Sequence, residues 1–162
     1  MLTLEKLKQS ISYDRETGEL KWISRRSGIA VGQRAGSYDK STGYMKVKFD
    51  GVHYKVHRLV WFYEYGEMPT DCIDHINQIK TDNRIVNLRL ATRKQNKENN
   101  SIYANNKSGF RGVRWNKQSK KWQVNVGHNK KQLYFGLYDD LMEAVKVAKS
   151  KRQELYTHYQ KQ

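Results

Sequence analysis

The polar stretch IDHINQIKTDNRIVNLRLATRKQN, residues 73–96, decides how the amino-terminal part of the chain folds. CIDHI at 72–76 predicts a short strand, NQIKTDNR at 77–84 predicts a polar loop, and NLRLATRKQNKENN at 87–100 predicts a helix. Two interpretations are open at this point. Either the asparagines cap the turns of a solvated loop, or the polar groups form an active site.

The same stretch contains groups that can hydrolyse a phosphodiester bond, which requires a base to activate water and charge relief on the phosphate. His75 has an ordinary pKa of about 6.5, so it can accept a proton near pH 7. Asp74 and an asparagine on the following helix offer the oxygen ligands that Mg²⁺ prefers. Because Asp74 and His75 are adjacent, their side chains leave an extended strand on opposite faces, and a shared site requires a twist or a bulge.

The segments before this stretch predict a small α+β unit. Residues 1–10 predict a short helix, and the turn residues of YDRETGEL predict a hairpin after it. GYMKVKFDGVHYKVHR alternates on both sides of an Asp-Gly turn, which predicts strands at about 44–49 and 52–57. RLVWFYEYG at 58–66 predicts a short buried helix.

The charge balance indicates a polyanionic partner. The chain has 31 Lys and Arg residues against 16 Asp and Glu residues, a formal net charge of +15, and no acidic residue occurs from Asn99 to Tyr138. The single Cys72 excludes an intrachain disulfide and a multi-cysteine zinc site, which fits a reducing cytoplasm. The amino terminus lacks the apolar core of a signal or membrane segment, so we expect a cytoplasmic protein without a membrane partner.

The carboxy-terminal part predicts a second, smaller unit. Residues 101–108 are polar and predict a linker or arm. Beyond them, GFRGVRWN, KWQVNVG and KQLYFGLY predict three strands, and the following segment predicts a helix with a capping box of Asp140 and Glu143. Alternation assigns a set of core positions, namely Val113, Trp122, Val124, Val126, Leu133 and Phe135. It assigns the exposed or edge positions to Arg111, Arg114, Lys121, Gln123, Asn125, Gln132 and Tyr134.

The succession HRLVW, IDHIN, TDNRIVNLRLAT and KQN resembles the HNH endonucleases, specifically their phage and intron-encoded homing-type members. The resemblance covers about residues 10–100 and implies a ββα-metal fold, in which two antiparallel strands and a helix surround one divalent ion. It implies that His75 is the general base and that Asn87 braces the loop. It also implies that Asp74 and Asn96 bind the metal. Asparagine at position 96 replaces a histidine of the name-giving pattern, which favours Mg²⁺ or Mn²⁺ over softer ions.

Two further choices are open within this region. Asn99 follows Asn96 by three residues on the same predicted helix, so it is the alternative metal ligand. His57 and Arg58 lie in HRLVW. Either Arg58 binds a DNA phosphate with His57 in support, or both residues are simply the polar end of a buried helix.

The segments GFRGVRW, KWQVNV and LYFGLYD, followed by EAVKVAKSKRQELY, resemble the DNA-binding domain of plant ethylene-response factors, the APETALA-two family. That resemblance implies a three-stranded sheet on one helix that reads the DNA major groove. It matches first-strand, second-strand and third-strand positions to Arg111 and Arg114, to Lys121 and Asn125, and to Gln132 and Tyr134. The alternative is a solvated antiparallel sheet whose open face is merely polar.

These features together predict an α+β, metal-dependent DNA endonuclease. Residues 1–100 are expected to form the HNH nuclease domain, 101–108 a linker, and 109–162 an APETALA-two-like DNA-binding domain. One active centre per chain predicts a monomer that nicks double-stranded DNA in the host cell of a phage, with one Mg²⁺ ion as cofactor. The alternative is a DNA-binding regulator with an inactive nuclease domain. An RNA-binding protein would expose more stacking aromatics than Tyr134 and Trp115 provide.

Overall fold

The computed structural model describes residues 2–99 and 106–157 of the chain. The chain divides into two units, Met1–Asn96 and Lys97–Gln162. Most of the predicted linker lies outside the described residues, and the predicted domain limits stay predictions. No helix in the described part of the chain combines the length and the hydropathy needed to cross a membrane.

The first unit is built from short strands and helices. In chain order they are α1 (Leu4–Ser10), β1 (Ile11–Tyr13), β2 (Leu20–Trp22), β3 (Ser37–Asp39), β4 (Tyr44–Phe49), β5 (Val52–Lys55), α2 (Val56–Tyr65), β6 (Cys72–His75), β7 (Leu88–Ala91) and α3 (Arg93–Glu98). A single 3₁₀ turn at Ile85–Asn87 leads into β7. The last two residues of α3 belong to the second unit.

Three antiparallel sheets share the core of the first unit. They pair β1 with β2, β3 and β5 with the central β4, and β6 with β7. Met45, Val47 and Phe49 of β4 are buried, and the lysines between them lie on the opposite face. The Asp50-Gly51 turn has positive φ at both residues, 49° and 80°, as in the type I′ turns that join tightly paired strands. The predicted hairpin is therefore confirmed.

The buried helix predicted after the hairpin is α2, whose Leu59 and Val60 are fully buried. The helix begins at Val56, so the strand predicted for 52–57 is two residues too long. Ile73 of β6 and Leu88 of β7 belong to the same core. This packing fixes both ends of the polar loop between β6 and β7.

The helix predicted for 87–100 is wrong in its first half, because Leu88–Ala91 is the strand β7. It pairs with β6 in an unbroken register from Cys72↔Ala91 to His75↔Leu88. This pairing and the burial of Leu88 and Ala91 outweigh the local helix propensity of the segment. The helix α3 starts only after Thr92, where Thr92 and Gln95 exchange the two side-chain-to-backbone hydrogen bonds of a capping box.

The second unit is a three-stranded antiparallel sheet packed on one helix, as predicted. Its elements are β8 (Val113–Asn116), β9 (Lys121–His128), β10 (Lys131–Tyr138) and α4 (Leu141–Leu155), with β9 in the centre. The core consists of Val113, Val124, Ala144, Val145 and Ala148, and Val126 is also buried. The other predicted core positions, Trp122, Leu133 and Phe135, are only half-buried. The Asp140 carboxylate caps α4 by accepting from the backbone N–H of Glu143 at 2.8 Å.

Candidate active site

His75 lies at the end of β6 with 4% of its surface exposed. Its ring centroid is 5.0 Å from that of His57 in α2, with the two rings nearly perpendicular, and 5.8 Å from that of Tyr44 in β4. The ring centroids of Tyr44 and His57 are 4.9 Å apart. Side chains from β4 and α2 therefore pack against this imidazole and limit where its ring can lie.

Burial lowers the pKa of His75 below its ordinary value, and the hydrogen bond to Asn83 and the charge of Asp74 oppose this only in part. The hydrogen bond joins His75 Nε2 and Asn83 Oδ1, which are 3.3 Å apart. A lowered pKa keeps the imidazole neutral at pH 7. His75 therefore has the protonation state that a general base needs.

Asp74 forms an ion pair with Arg89, its direct partner across the β6–β7 ladder. Nε and Nη2 of Arg89 both donate to Asp74 Oδ2, at 2.9 and 2.8 Å. The register of β6 with β7 contains no bulge, so a site shared by Asp74 and His75 requires a twist of the strand. Sequence reasoning misses Arg89, because a helix at 87–100 would not bring it opposite Asp74.

Asn87 connects the two ends of the polar loop and is 6% exposed. Its Oδ1 accepts from the backbone N–H of Asn77 at 2.9 Å, and its Nδ2 donates to the backbone carbonyl of Asp82 at 2.8 Å. The Asp82 carboxylate in turn accepts from Arg84 and from the Asn77 amide, and the Arg84 hydrogen bond is the main cause that lowers its pKa to about 2. These contacts give the loop one defined shape.

Replacing Asn87 by alanine is expected to lower the free energy of unfolding by about 2–4 kcal/mol, since two hydrogen bonds of a buried side chain are lost and two backbone groups lose their partner. Urea denaturation measures the change. Gln9→Ala is the control, because Gln9 makes an exposed side-chain contact to Glu5 and its loss should cost less than about 0.5 kcal/mol. If both variants lost the same small amount, Asn87 would not brace the loop.

The side chains that the HNH resemblance assigns to a metal are one carboxylate and one amide. Asp74 is buried, and Asn96 is half-buried in α3. The alternative ligand, Asn99, is a buried residue of the second unit. Within residues 2–99 and 106–157, no three His, Cys, Asp or Glu side chains are grouped to hold a metal. Two oxygen donors suit a hard ion that keeps most of its water ligands, as Mg²⁺ does.

Arg58 and His57, in the first turn of α2, make contacts that stabilise the fold. Nη2 and Nη1 of Arg58 donate to the carbonyls of Pro69 and Asp71, at 2.6 and 3.3 Å, just before β6. His57 is 4% exposed, and its Nδ1 has no hydrogen-bond partner among the described residues. Of the two roles open for Arg58, these contacts favour a structural role at the polar end of α2 over a phosphate clamp.

Lysines surround the outer side of the Tyr44 ring. Lys55 Nζ and Lys80 Nζ lie 4.4 and 4.8 Å from its centroid. Lys46 and Lys48 continue on the same outer face of the β4–β5 hairpin. Sequence reasoning did not select these residues. The alternation of GYMKVKFDGVHYKVHR could have found Lys46, Lys48 and Lys55, but no such signal marks Lys80. The lysines place positive charge beside a neutral imidazole, which suits a phosphodiester.

The face of the second unit's sheet that lies opposite α4, its open face, carries most of the side chains that alternation assigned to the exposed set. Arg114 lies directly opposite Gln123, and Asn125 lies directly opposite Tyr134. Arg114 Nη2 donates to Gln123 Oε1 at 3.2 Å. The other members are Lys121, which pairs with Asp139, and Gln132. The face therefore combines cations, amides and one aromatic ring.

Arg111, assigned to the exposed or edge set, does not lie on this face of the sheet. Arg111 precedes β8 and is half-buried, and its guanidinium donates to the carbonyls of Lys97 and Glu98 at 2.9 and 2.8 Å. These carbonyls end α3, where backbone acceptors lack partners within the helix. Alternation could not reveal this contact, because the residue lies outside the strand.

Comparison with known proteins adds family relationships to this geometry. Residues 54–98 match the HNH endonuclease family, a segment that contains the four side chains Asp74, His75, Asn87 and Asn96. The chain is also 34% identical over 104 residues to Protein 3.8 of Escherichia phage T7, which covers 64% of this chain and 85% of the phage protein. No solved structure matches the chain significantly. The chain therefore belongs to the family of phage T7 Protein 3.8 and carries an HNH endonuclease family domain at residues 54–98.

Proposed function

We propose that the protein is a metal-dependent DNA endonuclease that hydrolyses phosphodiester bonds. The observation that carries the proposal is His75, a buried imidazole with a lowered pKa inside the segment that matches the HNH family. In the proposed reaction His75 accepts the proton of the attacking water, and Asn87 maintains the loop that follows it. A divalent ion held by Asp74 and Asn96, Mg²⁺ or else Mn²⁺, would supply charge relief on the scissile phosphate.

Double-stranded DNA is the proposed substrate. The net charge of +15 and the lysines next to Tyr44 support it, because both attract a polyanion. One active centre per chain favours a monomer that nicks one strand, in the manner of homing-type members. The relationship to a phage protein supports action in the cytoplasm of an infected cell.

We further propose that the second unit binds DNA through the open face of its sheet, in the manner of the plant ethylene-response-factor domain. Arginine pairs well with guanine, and glutamine and asparagine pair with adenine. The proposed contacts are Arg114, Lys121, Gln123, Asn125, Gln132 and Tyr134. Their common face supports the proposal, and so does the absence of acidic residues from Asn99 to Tyr138.

Replacing Arg114 by alanine is expected to weaken DNA binding by about 1–3 kcal/mol, because a side chain proposed to contact base edges or phosphates is removed. Fluorescence anisotropy at several salt concentrations measures the loss. Lys146→Ala is the matched control, since Lys146 is an exposed cation on α4 and not on the sheet. Equal losses in the two variants would show that only overall charge matters and would contradict binding through the sheet.

One observation favours a second function, a DNA-binding regulator with an inactive nuclease domain. The Asp74 carboxylate is already paired with Arg89 through two hydrogen bonds. An ion that binds Asp74 must share this carboxylate with the guanidinium or displace it. If neither occurs, the protein would bind DNA without cutting it.

Incubation of the purified protein with supercoiled plasmid and Mg²⁺ separates the two functions. The endonuclease is expected to produce nicked circles, and chelation with EDTA should stop the reaction. Asp74→Asn, which keeps the shape of the side chain, should remove cleavage and retain DNA binding. Binding without cleavage in Mg²⁺ and in Mn²⁺ would instead support the regulator.

A further inference from the structure

Asn83 lies in the polar loop with 2% of its surface exposed, and its side-chain amide has a fixed orientation. Its Nδ2 donates to the backbone carbonyl of Thr81 at 3.1 Å, and its Oδ1 lies 3.3 Å from His75 Nε2. A backbone carbonyl can only accept, so the nitrogen of the amide must face Thr81. The oxygen of the same amide therefore faces His75.

This orientation determines which ring nitrogen of His75 carries the proton. An amide oxygen can only accept a hydrogen bond, so neutral His75 must hold its hydrogen on Nε2 in order to donate to Asn83. The lone pair of the ring is then on Nδ1. A hydrogen bond to one ring nitrogen is the usual means by which a protein selects the tautomer of a histidine.

The backbone around Asn83 is held by the amino-terminal hairpin. The Tyr13 hydroxyl donates to the carbonyl of Asn83 at 3.1 Å and accepts from the N–H of Ile85 at 2.8 Å. Gly18, with φ of 75°, packs against the same backbone, and a Cβ at this position would lie 2.6 Å from the nitrogen of Arg84. Only glycine fits this approach. The hairpin therefore holds the backbone of Asn83 through contacts that do not involve the Asn83 side chain.

We propose that Asn83 is a positioning residue for His75. Its amide oxygen holds the imidazole proton on Nε2 and directs the lone pair of Nδ1 to the reacting water. Asn83 acts through His75 and does not itself transfer a proton. This role rests on the proposed function, because it concerns the base of that same site, but the tautomer of His75 is measurable whether or not the protein cuts DNA.

Nitrogen-15 NMR of the full-length protein at pH 8 reports the His75 tautomer directly, with His75→Ala identifying its signals. Asn83→Leu removes the acceptor at similar volume, and Asn83→Asp retains an acceptor oxygen. Tyr13→Phe is the control, because it loosens the loop backbone and leaves the amide unchanged. We expect the Nε2–H form in the wild type, in Asn83→Asp and in Tyr13→Phe, and a mixture or the Nδ1–H form in Asn83→Leu.

Plasmid nicking by the same variants provides a second readout. Asn83→Leu is expected to lower kcat by about 10–100-fold, the usual loss when a partner of a site residue is removed, and to leave KM for DNA almost unchanged. Asn83→Asp should recover part of that loss. A general loss of structure would instead affect KM as well as kcat and would not depend on the acceptor oxygen.

The proposal is overturned by an Nδ1–H tautomer in the wild type, by an unchanged Nε2–H tautomer in folded Asn83→Leu, or by an equal tautomer change in Tyr13→Phe. If Asn83→Leu does not fold, Asn83→Ala removes the same acceptor without adding bulk and is measured in its place. If the tautomer changes as expected but no variant cuts DNA, the nuclease function fails and the control of His75 by Asn83 stands.

Discussion

Replacing His75 by alanine is expected to lower the rate of DNA cleavage by about 10²–10⁴-fold, the usual contribution of a general base. The reason is the position of the ring, which is buried beside Tyr44 and His57 and has a lowered pKa. Alanine leaves no group at this position to accept the proton of water. Single-turnover cleavage at saturating DNA measures the chemical step separately from binding.

His53→Ala is the matched control for this experiment, since His53 is an exposed histidine of β5. His53 lies opposite Lys48 on the face of the lysines, so its loss can weaken DNA binding, but at saturating DNA its cleavage rate should stay within about two-fold of the wild type. DNA binding by His75→Ala should persist. If His75→Ala cut DNA as fast as His53→Ala, the assignment of His75 as the base would be wrong.

Lowering the pH from about 6.5 to about 3 is expected to destabilise the folded protein by about 4–5 kcal/mol through His57 alone. Burial is the main cause that lowers the pKa of His57 from 6.5 to about 3, and the neighbouring His75 adds to it. Between these two values the unfolded chain binds a proton that the folded chain does not, so stability falls as the pH falls. Each unit of pKa corresponds to about 1.4 kcal/mol.

Urea denaturation at pH 7, 6, 5 and 4 measures this effect in the wild type and in His57→Phe. The variant keeps an aromatic ring against Tyr44 and His75 but has no group to titrate. Its free energy of unfolding should depend less steeply on pH than that of the wild type. Burial of His75 acts in the same direction, so some dependence should persist in the variant. Equal slopes in the two proteins would contradict a buried neutral His57.

Local signals in the sequence were sufficient to predict the β4–β5 hairpin and α2. The hairpin is encoded by alternation around an Asp-Gly turn, and α2 by a dense apolar run that ends at Gly66. The strand β7 could not be predicted in this way, because its partner β6 is separated from it by the polar loop. Pairing between distant segments leaves no local periodicity.

The same limit applies to the candidate site. The resemblance selected His75 and Asn87, and the structure shows that both are buried and hydrogen-bonded. It did not select Arg89, which meets Asp74 only through the β6–β7 pairing, or Asn83, which contacts His75 only because the loop folds back. In the sequence the asparagines of the loop cannot be told apart. Only the contacts in the structure distinguish Asn87, which holds the loop backbone, from Asn83, which contacts His75.

The proposed function depends above all on His75 as the base that hydrolyses DNA. The most direct measurement is the mapping of strand breaks at nucleotide resolution in phage genomic DNA incubated with Mg²⁺ and either the wild type or His75→Ala. We expect breaks at discrete positions on one strand with the wild type and none with the variant. Breaks at the same positions with both proteins, or binding of DNA by both without any break in Mg²⁺ or Mn²⁺, would contradict it.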